Sequence, residues 1–163
     1  MKSTPQAVLL DLGNVVLELN INVAFEALGI RDPWEKLSHW DKHHLYETGK
    51  LSTSEFIQES CQFFQISMSE QEFIQKWNLI VKDVIPGVAD VLKKLKLKAK
   101  LYALSNTNSL HLAHYQNMKG MENFDSIFAS HLLGYRKPDP AIYMAALQKL
   151  NLKPNEVLFV DDM

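Results

Sequence analysis

Polar groups follow short apolar runs at several points of this sequence, and their types could act together on a phosphate ester. Asp11 comes directly after the run AVLL, Ser105 after LYAL, and the acid pair Asp161 and Asp162 after VLFV. Lys137 lies in the loop GYRKP, downstream of a further short run. Because apolar runs of this length suit strands that are buried on both faces, we predict strands that end in reactive groups.

These residue types suit a nucleophilic attack on phosphorus. The Asp11 carboxylate could attack and form an acyl phosphate, which water then hydrolyses. Asp11 and the acid pair offer the hard oxygen ligands that Mg²⁺ prefers. Ser105 and the backbone N–H of Asn106 could donate hydrogen bonds to phosphoryl oxygens. Lys137 could neutralise the charge on the equatorial oxygens, so the set predicts phosphate chemistry.

The elements that must position these groups alternate between strand and helix. The apolar runs at residues 7–10, 101–104, 127–129 and 157–160 are predicted strands, and helical patterns lie between the later ones. Such alternation predicts right-handed βαβ units and a parallel sheet, at whose carboxyl edge ligands bind. The predicted fold class is α/β, with a Rossmann-like parallel sheet sandwiched by helices.

A block of predicted helices separates the first strand from the second. From about Ile21 to Asp83 no stretch has a convincing strand pattern. Asp32–Pro33 is an N-cap followed by proline at the first helical position, and that helix is predicted to end at Gly49. Ser52–Glu55 and Ser67–Glu70 each have the spacing of a capping box. We therefore predict a core domain of residues 1–19 and 84–163 and a small all-α cap domain of residues 20–83.

The composition is that of a globular domain and excludes several function classes. The 163 residues are 47% hydrophobic and 22% charged, which is enough for a domain with a real core. A net charge of -2 argues against binding to nucleic acid or to a membrane surface. The single cysteine, Cys61, excludes an internal disulfide and favours a cytoplasmic location. The oligomeric state stays open.

Four motifs resemble those of the haloacid dehalogenase-like (HAD) superfamily of hydrolases, over nearly the whole chain. VLLDLGNVV is similar to its first motif, LSNTN to the second, GYRKPDPAIY to the third and VLFVDD to the fourth. The segment YETGKLS resembles part of the helical cap that one subfamily places between the first two motifs. The DLGNV form of the first motif resembles a group of α-glucose-1-phosphate phosphatase type.

The resemblance implies a Mg²⁺-dependent phosphatase that acts on a small phosphorylated molecule, of the sugar phosphate type, through an aspartyl-phosphate intermediate. It also implies the role of each site residue. These are Asp11 as nucleophile and metal ligand, the backbone carbonyl of Gly13 as a second ligand, Ser105 and Asn106 for the phosphate, Lys137 for the nucleophile and phosphate, and Asp161 and Asp162 for the metal.

Two departures from the family pattern bear on this expectation. The usual first motif reads DxDGT, and its second Asp protonates the leaving group, whereas that position is Gly13 here. General acid–base help is typically worth 10²–10⁴-fold, so we expect a slow enzyme or an activated leaving group such as an anomeric sugar phosphate. The family pattern also continues past the acid pair with another strand and helix, which this sequence does not contain.

These departures leave two other functions open. A haloacid dehalogenase uses the same aspartate to attack carbon, and the halide leaves without an acid or Mg²⁺. A non-catalytic module would bind phosphate or a partner without turnover. The acid pair favours the phosphatase, because a dehalogenase does not need a metal.

Overall fold

The computed structural model describes residues 5–31, 35–36 and 40–163 of the chain. The strands are β1 (Ala7–Leu10), β2 (Leu17–Leu19), β3 (Val81–Val84), β4 (Lys100–Ser105), β5 (Ser126–Ala129) and β6 (Val157–Val160). Four of them form a parallel sheet in the order β5-β4-β1-β6, and β2 and β3 form a separate antiparallel ribbon.

Helices flank the sheet and also account for most of the described residues between β2 and β3. We call that stretch, residues 20–80, the helical insert. None of the described helices is long and apolar enough to cross a bilayer. The helices used below are α1 (Ile21–Ala27), α2 (Lys42–Glu47), α3 (Thr53–Phe64), α4 (Glu70–Trp77), α5 (Val88–Lys96), α6 (Ser109–Tyr115), α7 (Ser130–Leu133) and α8 (Pro140–Leu150).

Both faces of β1 are buried, which explains why its sequence is an unbroken apolar run. Val8 and Leu10 point into a large apolar cluster that includes the aromatic rings of the helical insert. Leu9 points to the other face, where it packs in a smaller cluster with Ile142 and Ala146 of α8. This alternation is the period of two that a strand imposes on its side chains. The structure confirms the predicted α/β fold with a parallel sheet.

The antiparallel ribbon was not predicted. Leu17 pairs with Val84 and Leu19 with Val81, so the ribbon brackets the helical insert. The expectation of no strand between Ile21 and Asp83 is therefore wrong at the start of β3. β3 has only four residues and two of them are exposed, so it lacks the apolar run that reveals a strand in a sequence.

Two predicted helix starts in the helical insert have different outcomes. The Ser52–Glu55 capping box is confirmed at the start of α3, with both reciprocal hydrogen bonds present. The Ser67–Glu70 box is wrong, because the hydroxyl of Ser69 caps α4 by accepting from the N–H of Glu72. Both serines precede a glutamate by three residues, so the spacing alone could not choose between them.

The continuous helix predicted to end at Gly49 is interrupted. Its predicted start, Asp32–Pro33, lies outside the described residues. Trp40 and Asp41 are not helical, and α2 begins only at Lys42. Trp40 is buried against the aromatic rings of α3, which shows that tertiary packing decides the path of the chain here.

Candidate active site

Asp11 stands one residue beyond β1, at the edge where the parallel strands end. Its N–H donates to the carbonyl of Val160 at 2.8 Å, so the backbone still follows β6 at this point. The residue is only 8% exposed, and its Oδ1 accepts a 2.7 Å hydrogen bond from the N–H of Leu12. Burial raises the pKa of Asp11, while the hydrogen bond and charge of Lys137 oppose that rise. The carboxylate is therefore held rigidly at the carboxyl edge of the sheet.

The ammonium of Lys137 bridges two carboxylates at this edge. Its Nζ lies 2.8 Å from Oδ1 of Asp11 and 2.6 Å from Oδ2 of Asp161. Burial alone would raise the pKa of Asp161, but hydrogen bonds from Lys137 and from the N–H of Met163 outweigh it and lower the pKa. The lysine thus stabilises the ionised form of both acids.

The three strand-end acids form a set of oxygen donors. Asp11, Asp161 and Asp162 each offer a carboxylate oxygen, and these atoms lie within 4.8 Å of one another. Oxygens on one Mg²⁺ stand about 2.1 Å from the ion and so at most about 4.2 Å apart. Small side-chain movements would therefore bring all three onto one ion, and the donor chemistry fits Mg²⁺.

Ser105 and Asn106 lie beside this set, because β4 is the neighbour of β1 in the sheet. Ser105 is buried, and the contact of its hydroxyl with the carbonyl of Asn106 is long, at 3.5 Å. The Asn106 side chain accepts from the N–H of Lys137 at 2.7 Å and donates to its carbonyl at 2.9 Å. We expected only the backbone N–H of Asn106 to take part, and these two hydrogen bonds of its side chain to Lys137 were not predicted. The only signal was an amide residue directly after a strand.

Gly13 lies in the turn after Asp11 and forms a bridge with Leu17. A Cβ placed on Gly13 would lie 2.9 Å from Cδ1 of Leu19, which is closer than side chains normally approach. Leu19 therefore fills the space into which a longer side chain at position 13 would extend. The arrangement offers no carboxylic acid at the position where the usual first motif carries one.

The structure thus brings the predicted site residues to one sheet edge. Asp11, Lys137, Asp161 and Asp162 make contact or lie within a few ångströms, and Ser105 ends the adjacent strand. A nucleophile, a cation and oxygen donors for a metal ion therefore share one small region. With a divalent cation on the acids to offset their charge, this combination is suited to bind a phosphate group and attack it.

Known proteins resemble this chain over most of its length. The family described as haloacid dehalogenase-like hydrolase matches residues 5–163. D-ribitol-5-phosphate phosphatase of Bacteroides thetaiotaomicron is 26% identical over 168 residues, which cover 95% of this chain and 82% of that protein.

Solved structures show the same likeness. The crystal structure of a HAD family enzyme from Bacteroides thetaiotaomicron is similar with a TM-score of 0.87 at 26% identity, covering 99% of this chain and 86% of the other. A mutant of the same enzyme in complex with magnesium and inorganic phosphate has a TM-score of 0.86 at 25% identity, with 98% and 85% covered. The chain therefore belongs to the haloacid dehalogenase-like hydrolases and is an enzyme of that family.

Proposed function

We propose that the protein is a Mg²⁺-dependent phosphatase that hydrolyses a small phosphomonoester of the sugar phosphate type. The observation that carries the proposal is the Lys137 ammonium, which lies within 2.8 Å of the buried carboxylate of Asp11. A nucleophile of this kind needs a nearby cation, because carboxylate and phosphate repel each other. The similarity to a ribitol phosphate phosphatase supports a phosphorylated polyol or sugar as substrate.

In the first step, a carboxylate oxygen of Asp11 attacks phosphorus and forms a P–O bond. The bond between phosphorus and the sugar oxygen breaks, and that oxygen keeps the electron pair and takes a proton from water. Lys137, the Ser105 hydroxyl and the N–H of Asn106 bind the phosphoryl oxygens as charge builds up on them. Because Gly13 supplies no proton, esters of more acidic alcohols are turned over faster.

In the second step, water attacks the aspartyl-phosphate. The new P–O bond displaces the oxygen of Asp11, which regains its carboxylate, and orthophosphate leaves. Asp11, Asp161, Asp162 and the backbone carbonyl of Gly13 would hold Mg²⁺, which supplies positive charge to offset that of the phosphate.

We also propose that the chain is divided into two domains with different roles. Residues 1–19 and 84–163 form the catalytic core, and residues 20–83 form a cap that excludes bulk water and selects the substrate. The expected cytoplasmic location belongs to this proposal as well, and rests on composition.

The experiment is phosphate release from a panel of sugar phosphates and p-nitrophenyl phosphate, with and without EDTA. Asp11→Asn keeps the shape of the side chain and removes the nucleophile, so we expect release to fall by about 10³-fold or more. The matched control is Asp90→Asn, which changes an exposed aspartate in the first turn of α5 and should leave release unchanged.

Other outcomes would point elsewhere. Release that survives in Asp11→Asn would rule out the aspartyl-phosphate. Halide release from haloacids that resists EDTA would identify a dehalogenase. Phosphate binding by a well-folded protein with no turnover on any substrate would identify the non-catalytic module.

A further inference from the structure

A turn in the helical insert contacts the segments that follow two of the core strands. We call residues 46–49 the YETG turn. The hydroxyl of Tyr46 lies 2.9 Å from that of Ser109, the first residue of α6. A Cβ on Gly49 would collide with the backbone oxygen of His131 in α7. The YETG turn is therefore packed tightly against the core, close to the ends of β4 and β5.

The YETG turn also makes an ion pair with the loop that carries Lys137. Nε of Arg136 donates to Oε2 of Glu47 at 3.0 Å, and the two side chains are 30% and 21% exposed. Burial raises the pKa of Glu47, while the charge and hydrogen bond of Arg136 oppose the rise. A pair that is this sheltered is harder to break than an exposed one, because either partner alone would be poorly solvated.

The backbone beside this ion pair is held from the core as well. Asn106 binds both the N–H and the carbonyl of Lys137, and the carbonyl of Arg136 accepts from the N–H of Asp139 at 2.9 Å. The core thus fixes the backbone of Lys137, and the helical insert holds its neighbour through Glu47. Both attachments are present in the structure in which the ammonium of Lys137 lies on Asp11.

We propose that Glu47 and Arg136 are positioning residues, whose ion pair holds Lys137 at Asp11 while the YETG turn is packed on the core. The ammonium is then fully in place only when the helical insert covers the sheet edge. As far as the reaction is concerned, this rests on the proposed phosphatase function. It adds that packing of the helical insert on the core is coupled to placement of the Lys137 ammonium, whose positive charge is needed for attack on phosphorus.

Glu47→Gln tests the proposal, because it keeps the shape of the side chain and removes the charge. We expect kcat for p-nitrophenyl phosphate to fall about tenfold with little change in KM, since Lys137 acts most strongly in the transition state. Arg136→Gln should show a similar fall, and the double variant should fall no further than the worse single variant. An unchanged kcat, or losses that multiply in the double variant, would overturn the proposal.

The matched control is an ion pair within the helical insert. Nζ of Lys42 in α2 lies 3.7 Å from Oε2 of Glu59 in α3, and neither residue belongs to the loop of Lys137. Glu59→Gln removes a charge in the same way and should leave kcat within about twofold of the wild-type value, as expected for an exposed pair.

A second measurement does not depend on turnover. Hydrogen exchange of the Lys137 N–H reports directly on its hydrogen bond to Asn106. We expect exchange to accelerate about fivefold or more in Glu47→Gln and not in Glu59→Gln. Unchanged exchange would overturn the positioning role even if kcat fell. If the wild-type protein released no phosphate, the proposed function would fail while the exchange result still decided this inference.

Discussion

Gly13 and Leu19 share a small space beside the nucleophile, and this contact bears on the missing acid. Gly13→Asp alone would force its Cβ to within 2.9 Å of Leu19. The double variant Gly13→Asp/Leu19→Ala makes room for the new carboxyl group. Because a general acid is typically worth 10²–10⁴-fold, we expect kcat/KM for an alkyl phosphate to rise tenfold or more over Leu19→Ala alone.

The control for this prediction is the leaving group. p-Nitrophenolate leaves without a proton, so its ester should gain little from the new acid. The quantity to measure is the ratio of kcat/KM for the alkyl and nitrophenyl esters in both variants. The same ratio in Gly13→Asp/Leu19→Ala and Leu19→Ala would show that position 13 cannot supply a proton.

Single residues of the site differ in how far a sequence can predict them. Asp11 and the acid pair were predicted because each directly follows an apolar run. The hydrogen bonds between the Asn106 side chain and Lys137 could not be predicted, because the two residues are 31 positions apart and no periodicity links them. The same is true of Arg136 and Glu47, which are 89 positions apart. Such pairs become visible only once the chain is folded.

At the scale of elements, α3 depends on its capping box. Ser52 accepts from the N–H of Glu55, and Oε2 of Glu55 accepts from the N–H of Ser52. Ser52→Ala removes one of these bonds and leaves an N–H at the start of the helix without its partner. We expect the free energy of unfolding to fall by about 1 kcal/mol, measured by urea denaturation.

The neighbouring Ser54→Ala is the control for the cap. Ser54 is exposed inside the first turn of α3, where alanine is a better helix former than serine. Its stability should stay the same or rise slightly. An equal loss in both variants would mean that the capping box contributes nothing particular.

The secondary-structure elements also differ in how far the sequence predicts them. The strand predicted at residues 127–129 is β5 with one residue added, because an apolar run marks a buried strand wherever it lies. β2 and β3 were missed because they are short and neither is an unbroken buried run, and their pairing links residues more than 60 positions apart. The ribbon forms through pairing between distant parts of the chain, and the local sequence therefore does not predict it.

At the scale of the whole molecule, buried histidines make stability depend on pH. His111 is buried and stacks on the ring of Trp77. Burial lowers the pKa of His111 to about 4, although its bond to the carbonyl of Trp77 opposes the fall. The unfolded chain, with a pKa near 6.5, binds a proton that the folded chain excludes. The contribution of His111 to the free energy of unfolding is therefore fully present above pH 6.5. It is lost as the pH falls toward 4, by up to roughly 3 kcal/mol.

His111→Gln should flatten this dependence. We expect unfolding free energies measured by urea denaturation between pH 7 and 4 to show a smaller slope than in the wild type. Part of the slope should remain, because burial also lowers the pKa of His43 to about 4. His44→Gln alters an exposed histidine and should change the slope less. An unaltered slope in His111→Gln would show that His111 does not contribute to the pH dependence of stability.

The fold class could be predicted from the alternation of apolar runs and helical patterns, since that alternation reflects two buried sheet faces. The path through the helical insert could not. Trp40 interrupts a helical pattern because its ring packs among aromatic rings of α3 that lie well ahead in the chain. Local spacing is outweighed there by the burial of a large side chain.

The bridging position of Lys137 also bears on the order in which the site fills. One ammonium faces three carboxylates, so two negative charges at the sheet edge have no counterpart among these four groups. Like charges 4 Å apart repel by about 4 kcal/mol at an effective dielectric constant of 20, so a phosphate dianion enters more easily after a divalent cation. Because binding free energies are linked, the two effects are equal. The cation raises the affinity for the ester by some factor, and the ester raises the affinity for the cation by the same factor. Under the proposed function, occupancy by substrate follows the free magnesium concentration as well as the concentration of substrate.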